Sequence, residues 1–184
     1  MSPDWEKDII AGCQKGEAWA RRELYEKFSP TMLSLCVRYM GDIEAAKDVL
    51  QDGFIKVFTR FHSYEAKGPL GGWIRQIFVN MALEHLIRNK KMIQAVSVDD
   101  CAVEVETYEH FALEKISADD LIECVSELPA RCRTVFNMHA IEGYTHAEIS
   151  EKLGIQESSS RAQFARARKQ LQEMVYELMR KNNV

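Results

Sequence analysis

Residues 144–155, which read YTHAEISEKLGI, decide the fold of the second half of this chain. Thr145 is a favourable N-cap residue, and Glu148 three positions later completes a capping box, so a short helix is predicted to begin here. Gly154 is predicted to end that helix, because glycine adopts the left-handed backbone conformation at little cost. The pattern therefore predicts a helix-turn-helix whose second helix begins near Glu157.

The predicted second helix carries four cations between residues 161 and 169, and a helix presented in this way commonly enters the major groove of DNA. A wheel at about 100° per residue gives it an apolar core stripe, which consists of Phe164, Ala167, Leu171, Val175 and Leu178. The DNA-contacting residues are predicted on the opposite face and its flank: Ser158, Ser159, Arg161, Ala162, Gln163, Arg166 and Lys169. Hydroxyls suit phosphate oxygens, whereas Gln and Arg can each make two hydrogen bonds to a base edge.

The composition is that of a folded, soluble protein. Of 184 residues, 46% are hydrophobic and 28% are charged, which disfavours intrinsic disorder. No run approaches the roughly 18 uncharged apolar residues that a membrane span needs, so no direct membrane insertion is predicted. The first residues also lack the basic and apolar regions of a signal peptide. We therefore expect a cytoplasmic protein.

The cysteines give no sign of a metal or a disulfide framework. Five cysteines are scattered among largely apolar neighbours, at positions 13, 36, 101, 124 and 132, and they are interpreted as reduced core residues. The chain has no C-x-x-C motif, and His139 and His146 are spaced unsuitably for ligands on one helix turn. The sequence thus predicts no metal and no cofactor.

Charge is distributed in blocks, although the net charge is −4. Residues 56–91 hold seven basic and two acidic side chains, and residues 145–184 hold seven and five. Between these blocks, residues 92–117 hold one basic and six acidic side chains. This pattern predicts two DNA-facing surfaces separated by a segment that avoids DNA.

Almost every segment has the period of a helix, so the chain is predicted to be all-α. A helix or helix pair is expected over 6–27, another opening at Ser29 and Pro30, and a third from about Ile43. The Gly/Pro-rich residues 61–72 are predicted to form a loop, followed by a helix from Trp73. The mid-helix glycine Gly53 is taken to mark close packing against a facing helix.

Two small helical domains are predicted. They span residues 5–92 and 116–182, with the helix-turn-helix in the second. Residues 93–115 are acidic and lack clear helix caps, so they are predicted to form a flexible linker.

Four motifs resemble those of bacterial RNA polymerase sigma factors of the extracytoplasmic-function type. The first is DVLQDGFIKVF at 48–58, and the second is the helix with Trp73, Ile77, Asn80 and Arg88. The third contains Leu128, Pro129 and Arg133, and the fourth extends from EGYTHAEISEKLGI at 142–155 to the RAR at 166–168. They occur in the order that the family shows, over nearly the full length.

The resemblance implies a division of labour. A helix with Asp48, Gln51 and Asp52 would bind core RNA polymerase, and the final helix-turn-helix would recognise the promoter −35 element. Recognition and melting of the −10 element would rest on the second motif and the loop before it, through His62, Tyr64, Lys67, Trp73, Arg75, Asn80 and Arg88. Cations and aromatic rings are suited to hold an unstacked base. For Trp73, a purely core role is equally compatible with the sequence.

The resemblance implies a factor that directs promoter-specific initiation, with promoter DNA as ligand and no small-molecule substrate. The alternative is a helix-turn-helix activator that binds DNA without polymerase. No phosphate loop or nucleophile motif indicates an enzyme. Minimal sigma factors are commonly held by an anti-sigma protein, so the resemblance implies such a partner, wedged between the two domains. Self-inhibition by packing of the two domains on each other is the competing idea.

Overall fold

The computed structural model describes residues 3–89 and 117–182, and within them the fold is all-α, as predicted. Eight α-helices and no strand occur in these ranges. The helices are α1 Pro3–Lys15, α2 Ala18–Met40, α3 Ile43–Arg60, α4 Leu70–Arg88, α5 Ala118–Glu127, α6 Ala130–Phe136, α7 His146–Leu153 and α8 Glu157–Asn182. No helix in the described ranges has the length and apolar character to cross a membrane. The predicted linker at 93–115 lies outside the described residues.

The chain divides into two compact units. The first comprises Met1–Val37 and Asp42–His85, and the second comprises Arg38–Gly41 and Leu86–Val184. The predicted domain limits of 5–92 and 116–182 stay predictions.

Helix α2 corrects the expectation of a new helix at Ser29, because it runs without interruption through Pro30. An interior proline removes one backbone hydrogen bond and costs about 3 kcal/mol. Burial of Leu24, Met32 and Leu35 on either side of Pro30 offsets this cost, since each is at most 2% exposed. Tertiary burial therefore overrides the local helix-opening signal.

Helix α3 starts where the sequence predicted and packs closely against α4. Asp42 is its N-cap, and its Oδ1 accepts a hydrogen bond from Ala45 N at 2.8 Å. Gly53 lies under the ring of Phe78, and a Cβ built at Gly53 would be 2.3 Å from Phe78 Cε1. The prediction that Gly53 marks close helix packing is confirmed, because Phe78 belongs to α4.

In the second unit, Arg133 fixes the turn between α5 and α6. Its buried guanidinium donates to the carbonyl oxygens of Ser126 and Leu128, each at 2.7 Å. Leu128, Cys132 and Ala167 form a buried cluster that joins α6 to α8. After α6 the chain continues as a π-helical turn, Asn137–Ile141.

The described cysteines, at 13, 36, 124 and 132, are buried, and none of these four forms a disulfide. Burial raises the pKa of Cys13 to about 11, so this thiol stays protonated at neutral pH. Burial also raises the pKa of Cys124 and Cys132. Cys13, Cys124 and Cys132 therefore have the properties of inert core residues; Cys101 lies outside the described residues.

Candidate nucleic-acid interface

The helix-turn-helix has the predicted caps. Thr145 Oγ1 accepts from Glu148 N at 3.2 Å, and Glu148 Oε2 accepts from Thr145 N at 2.8 Å, so the capping box is complete. The Glu148 carboxylate accepts hydrogen bonds from the backbone N–H of Thr145 and from its hydroxyl, and these bonds, the backbone one first, hold the pKa of Glu148 below its usual value. Gly154 ends α7 with φ 64°, in the left-handed region. Ser150 adds a further tie across the turn, since its Oγ donates to Ile155 O at 2.6 Å.

The outer face of α8 contains most of the residues predicted to read the upstream element. Ser158, Ser159, Arg161, Ala162 and Lys169 are exposed, whereas Gln163 and Arg166 are half-buried. The residues at 159, 162, 166 and 169 follow a spacing of three or four, so they form one stripe along the helix. Arg161 forms an ion pair with Glu157, one turn before it.

Gln163 differs from its predicted orientation. Its Oε1 lies 3.0 Å from Cys132 Sγ, so the thiol on α6 donates to the amide oxygen. The side chain is thus directed in part towards α6 instead of fully away from the core. Its predicted role in base reading stays a prediction.

Two histidine rings are stacked beside α8. The rings of His139 and His146 have centroids 4.2 Å apart, and the His139 ring lies 4.6 Å from that of Phe164. His146 Nδ1 is 2.9 Å from the Oγ of Ser160, which is fully buried in α8. His139 Nδ1 is 2.7 Å from Tyr144 O. The π-helical turn places His139 in this position, a contact that spacing alone does not reveal.

The stack predicts that acid destabilises the second unit. Desolvation, then the charges of His139 and Arg161, lower the pKa of His146, with Glu157 opposing them. The folded state therefore binds a proton less readily than the unfolded state, so this contribution to stability is present above about pH 6.5 and is lost as the pH falls below it. An NMR titration should place the midpoint of His146 below 6.5, and His146→Gln should flatten the pH dependence of unfolding. A midpoint at or above 6.5 would contradict this.

The predicted polymerase-binding residues form one exposed face of α3. Asp48, Gln51 and Asp52 are all exposed, on the side opposite Val49 and the other buried residues of the helix. The same face carries Ile55, whose exposed fraction is 57%. An apolar side chain flanked by carboxylates is compatible with a protein interface, whose centre is commonly apolar and whose rim is polar. Ile55 is not among the residues predicted from the sequence for this face.

In the loop before α4, His62 and Lys67 are exposed, but Tyr64 is 6% exposed, and its ring centroid lies 5.1 Å from that of Trp73. Tyr64 therefore supports the loop in this conformation, and its predicted role in DNA contact stays a prediction. Trp73 is half-buried, with its ring 5.5 Å from that of Phe61, so it joins the core while keeping an open side.

Helix α4 begins at Leu70, three residues earlier than predicted. Arg75 and Asn80 are half-buried, and Arg88 is exposed near the end of the helix. Asn80 Oδ1 accepts from Gln76 Nε2 at 3.3 Å, which orients the Asn80 amide along the helix surface. The seven residues predicted for the −10 element thus all lie on α4 or on the segment leading into it. Among the described residues, no cluster of three or more metal-ligating side chains occurs.

Two family models match the chain. The model described as Sigma-70 region 2 matches residues 24–92, and the one described as Sigma-70, region 4 matches residues 118–171. Together they cover most of both units.

Curated relatives align along nearly the whole chain. The RNA polymerase sigma-H factor of Pseudomonas aeruginosa is 22% identical over 98% of each chain. The ECF RNA polymerase sigma factor SigW of Bacillus subtilis is 22% identical, over 94% of this chain and 97% of the relative. The ECF RNA polymerase sigma-E factor of Escherichia coli is 25% identical, over 94% and 95%.

Solved structures that match the chain include the sigma factor RpoE in complex with the anti-sigma factor NepR from Bartonella quintana. That structure is 19% identical, covers 84% of this chain and 96% of the other, and has a TM-score of 0.49. CnrH in complex with the cytosolic domain of CnrY is 18% identical, covers 94% and 98%, and has a TM-score of 0.47.

Proposed function

The chain belongs to the sigma-70 family of RNA polymerase sigma factors, as a member of the extracytoplasmic-function type, and on this basis we propose how its surfaces divide the work. It binds core RNA polymerase and directs promoter-specific transcription initiation. The observation that carries this function is the ordered match of regions 2 and 4, since an independent activator needs only the second. We assign residues 5–92 to polymerase binding and the −10 element, and residues 116–182 to the −35 element.

Polymerase binding is proposed for the exposed face of α3. Asp48 and Asp52 give the face negative charge, Gln51 adds hydrogen-bonding capacity, and Ile55 adds an apolar centre. Such a combination suits a basic partner surface with an apolar recess. The face is therefore expected to bind a complementary site on core polymerase.

The −10 role is proposed for the loop and α4. His62 and Lys67 project from the loop, and Trp73, Arg75, Asn80 and Arg88 follow on the helix. Exposed cations can track a single-stranded backbone, while the partly open Trp73 ring offers a stacking surface. Tyr64 supports the loop from below through a hydrogen bond from its hydroxyl to Gly68 O at 2.6 Å.

The −35 role is proposed for the α8 stripe. Ser158 and Ser159 lie at the helix start, where hydroxyls and backbone N–H groups suit phosphate. Arg161, Gln163 and Arg166 lie further in and are proposed to read bases, with Ala162 leaving room between them. Lys169 is proposed to contact phosphate.

A transcription assay with purified core polymerase tests this function. We expect the protein to form a holoenzyme that initiates at promoters selected from genomic DNA. Asp52→Lys should weaken core binding about tenfold or more, because it brings like charges together. Glu23→Lys, an equally exposed reversal on α2, is the matched control and should have little effect. Both variants should have unchanged circular-dichroism melts.

Two outcomes would oppose the proposal. Binding of duplex promoter DNA at physiological salt without core enzyme, with no core association, would favour the activator. A melting shift for Asp52→Lys as large as its binding defect would make the residue structural.

We further propose a cytoplasmic DNA-binding regulator without a catalytic site, held by an anti-sigma protein wedged between the two domains. What supports this partner is the chain's membership of the extracytoplasmic-function type, whose members are commonly held by an anti-sigma protein. Small-angle scattering of the isolated protein tests the partner against self-inhibition. An extended shape favours an external inhibitor, whereas a compact shape with poor core binding favours self-inhibition.

A further inference from the structure

A carboxylate from α1 caps the start of α4. Glu6 Oε1 accepts a hydrogen bond from the backbone N–H of Leu70 at 3.0 Å, across 64 positions of sequence. The first N–H groups of a helix have no partner within it, and a negative charge there is stabilising. The residues before Leu70 are Lys67, Gly68 and Pro69, none of which has a side-chain acceptor suited to a cap. The cap is therefore supplied from a distant helix.

The loop between α3 and α4 is held mainly by two hydrogen bonds near its ends. Residues 65–69 are all exposed, and Ala66 has φ 54°, in the left-handed region that a non-glycine residue seldom adopts. The Tyr64 hydroxyl ties one side of the loop through Gly68 O, and Glu6 ties the other through Leu70 N. Burial, and then the charge of Glu6, raise the pKa of Tyr64, which agrees with the two anchors being neighbours.

Helix α1 lies outside the residues that the family models match, which begin at 24. It nevertheless packs into the first unit, since Ile9 is 1% exposed. The contact from Glu6 is thus contributed by a segment that precedes the matched region. The Glu6 carboxylate thereby binds the first residue of α4, next to the loop that is proposed to hold unstacked DNA.

We propose that Glu6 is a positioning residue for the loop 64–69, which it holds in the conformation that presents Lys67 to single-stranded −10 DNA. This inference rests on the proposed −10 role of the loop. Glu6 acts through Leu70 and does not itself contact DNA. Loss of the carboxylate should free the end of the loop next to Leu70. DNA binding would then have to order the loop again, which lowers the affinity.

The experiment uses holoenzyme and the single-stranded non-template −10 segment of a promoter that the wild-type holoenzyme selects. Glu6→Ala should lower affinity for this oligonucleotide by about three- to tenfold. Glu6→Gln, which keeps an acceptor oxygen, should retain most of the affinity. Asp8→Ala, an exposed change on the same helix, is the control and should match wild type. Binding to a duplex −35 fragment and to core polymerase should be unchanged in all three.

The outcomes separate the inference from the function on which it rests. If Lys67→Ala and His62→Ala both leave oligonucleotide binding unchanged, the −10 role of the loop fails. If Lys67→Ala weakens binding and Glu6→Ala does not, the positioning role is overturned. It is also overturned if Glu6→Ala lowers the melting temperature and all three affinities together. Tyr64→Phe removes the second anchor without touching α1, and it should reproduce the selective loss.

Discussion

Replacement of Arg166 by alanine is expected to weaken holoenzyme binding to its −35 element by about 1–3 kcal/mol, or roughly 5- to 150-fold. Arg166 lies four residues after Ala162 on the stripe of α8 that faces away from the core, and the small Ala162 side chain leaves space for a base edge beside it. Because a guanidinium can make two hydrogen bonds to guanine, the loss should depend on the base at one position.

Binding to a panel of duplexes, each with one substituted base pair, measures this effect. With Arg166→Ala, the loss of affinity that a base-pair substitution causes should disappear at the position that the Arg166 side chain reads. Lys169→Ala is the control, since loss of a phosphate contact should weaken binding to all duplexes alike. It should also lower the slope of log affinity against log salt concentration by about one. Uniform weakening by Arg166→Ala would show that Arg166 contacts only the backbone.

Gly53→Ala is expected to destabilise the first unit by about 1–2 kcal/mol, even though alanine is the better helix former by about 1 kcal/mol. The new Cβ would lie 2.3–2.8 Å from three atoms of the Phe78 ring. Phe78 is fully buried, and its ring centroid is 5.2 Å from that of Phe54, so a displacement of the Phe78 ring would disturb the packing of the core.

Gly72→Ala is the matched control for this prediction. A Cβ at Gly72, also within a helix, would meet no atom within 4 Å, so the substitution should stabilise by up to about 1 kcal/mol. Urea unfolding of both variants gives the two free energies of unfolding. A stabilising effect of Gly53→Ala would mean that the helices separate more easily than their packing indicates. Phe78→Leu in the Gly53→Ala background should recover part of the loss.

The sequence predicted the structure correctly where all the interacting groups lie within one helix terminus. The capping box of Thr145 and Glu148 and the left-handed Gly154 depend only on residues within one turn, so the sequence was sufficient to place them. The exposed face of α3 follows in the same way from helical period, since Val49 and Asp48 must point in different directions.

The sequence was not sufficient where a distant residue determines the environment. Pro30 has a strong local tendency to open a helix, but burial along α2 outweighs one lost hydrogen bond. Tyr64 belongs to a loop by sequence, and only the positions of Phe61 and Trp73 show that its ring is buried. The contact between Glu6 and Leu70 has no local signature, because it joins residues 64 positions apart.

The π-helical turn makes the number of residues between Pro129 and Thr145 as important as their identity. Glu142 N bonds to Asn137 O, five residues back, and Tyr144 N bonds to Met138 O, both at 2.9 Å. Deleting one residue would restore α-helical spacing and rotate all that follows by about 100°. Gly143, with φ 80°, would then no longer direct the chain into α7. Insertions and deletions in this turn should therefore destabilise the fold far more than those in the exposed loop before α4, whose changes should act on DNA binding instead.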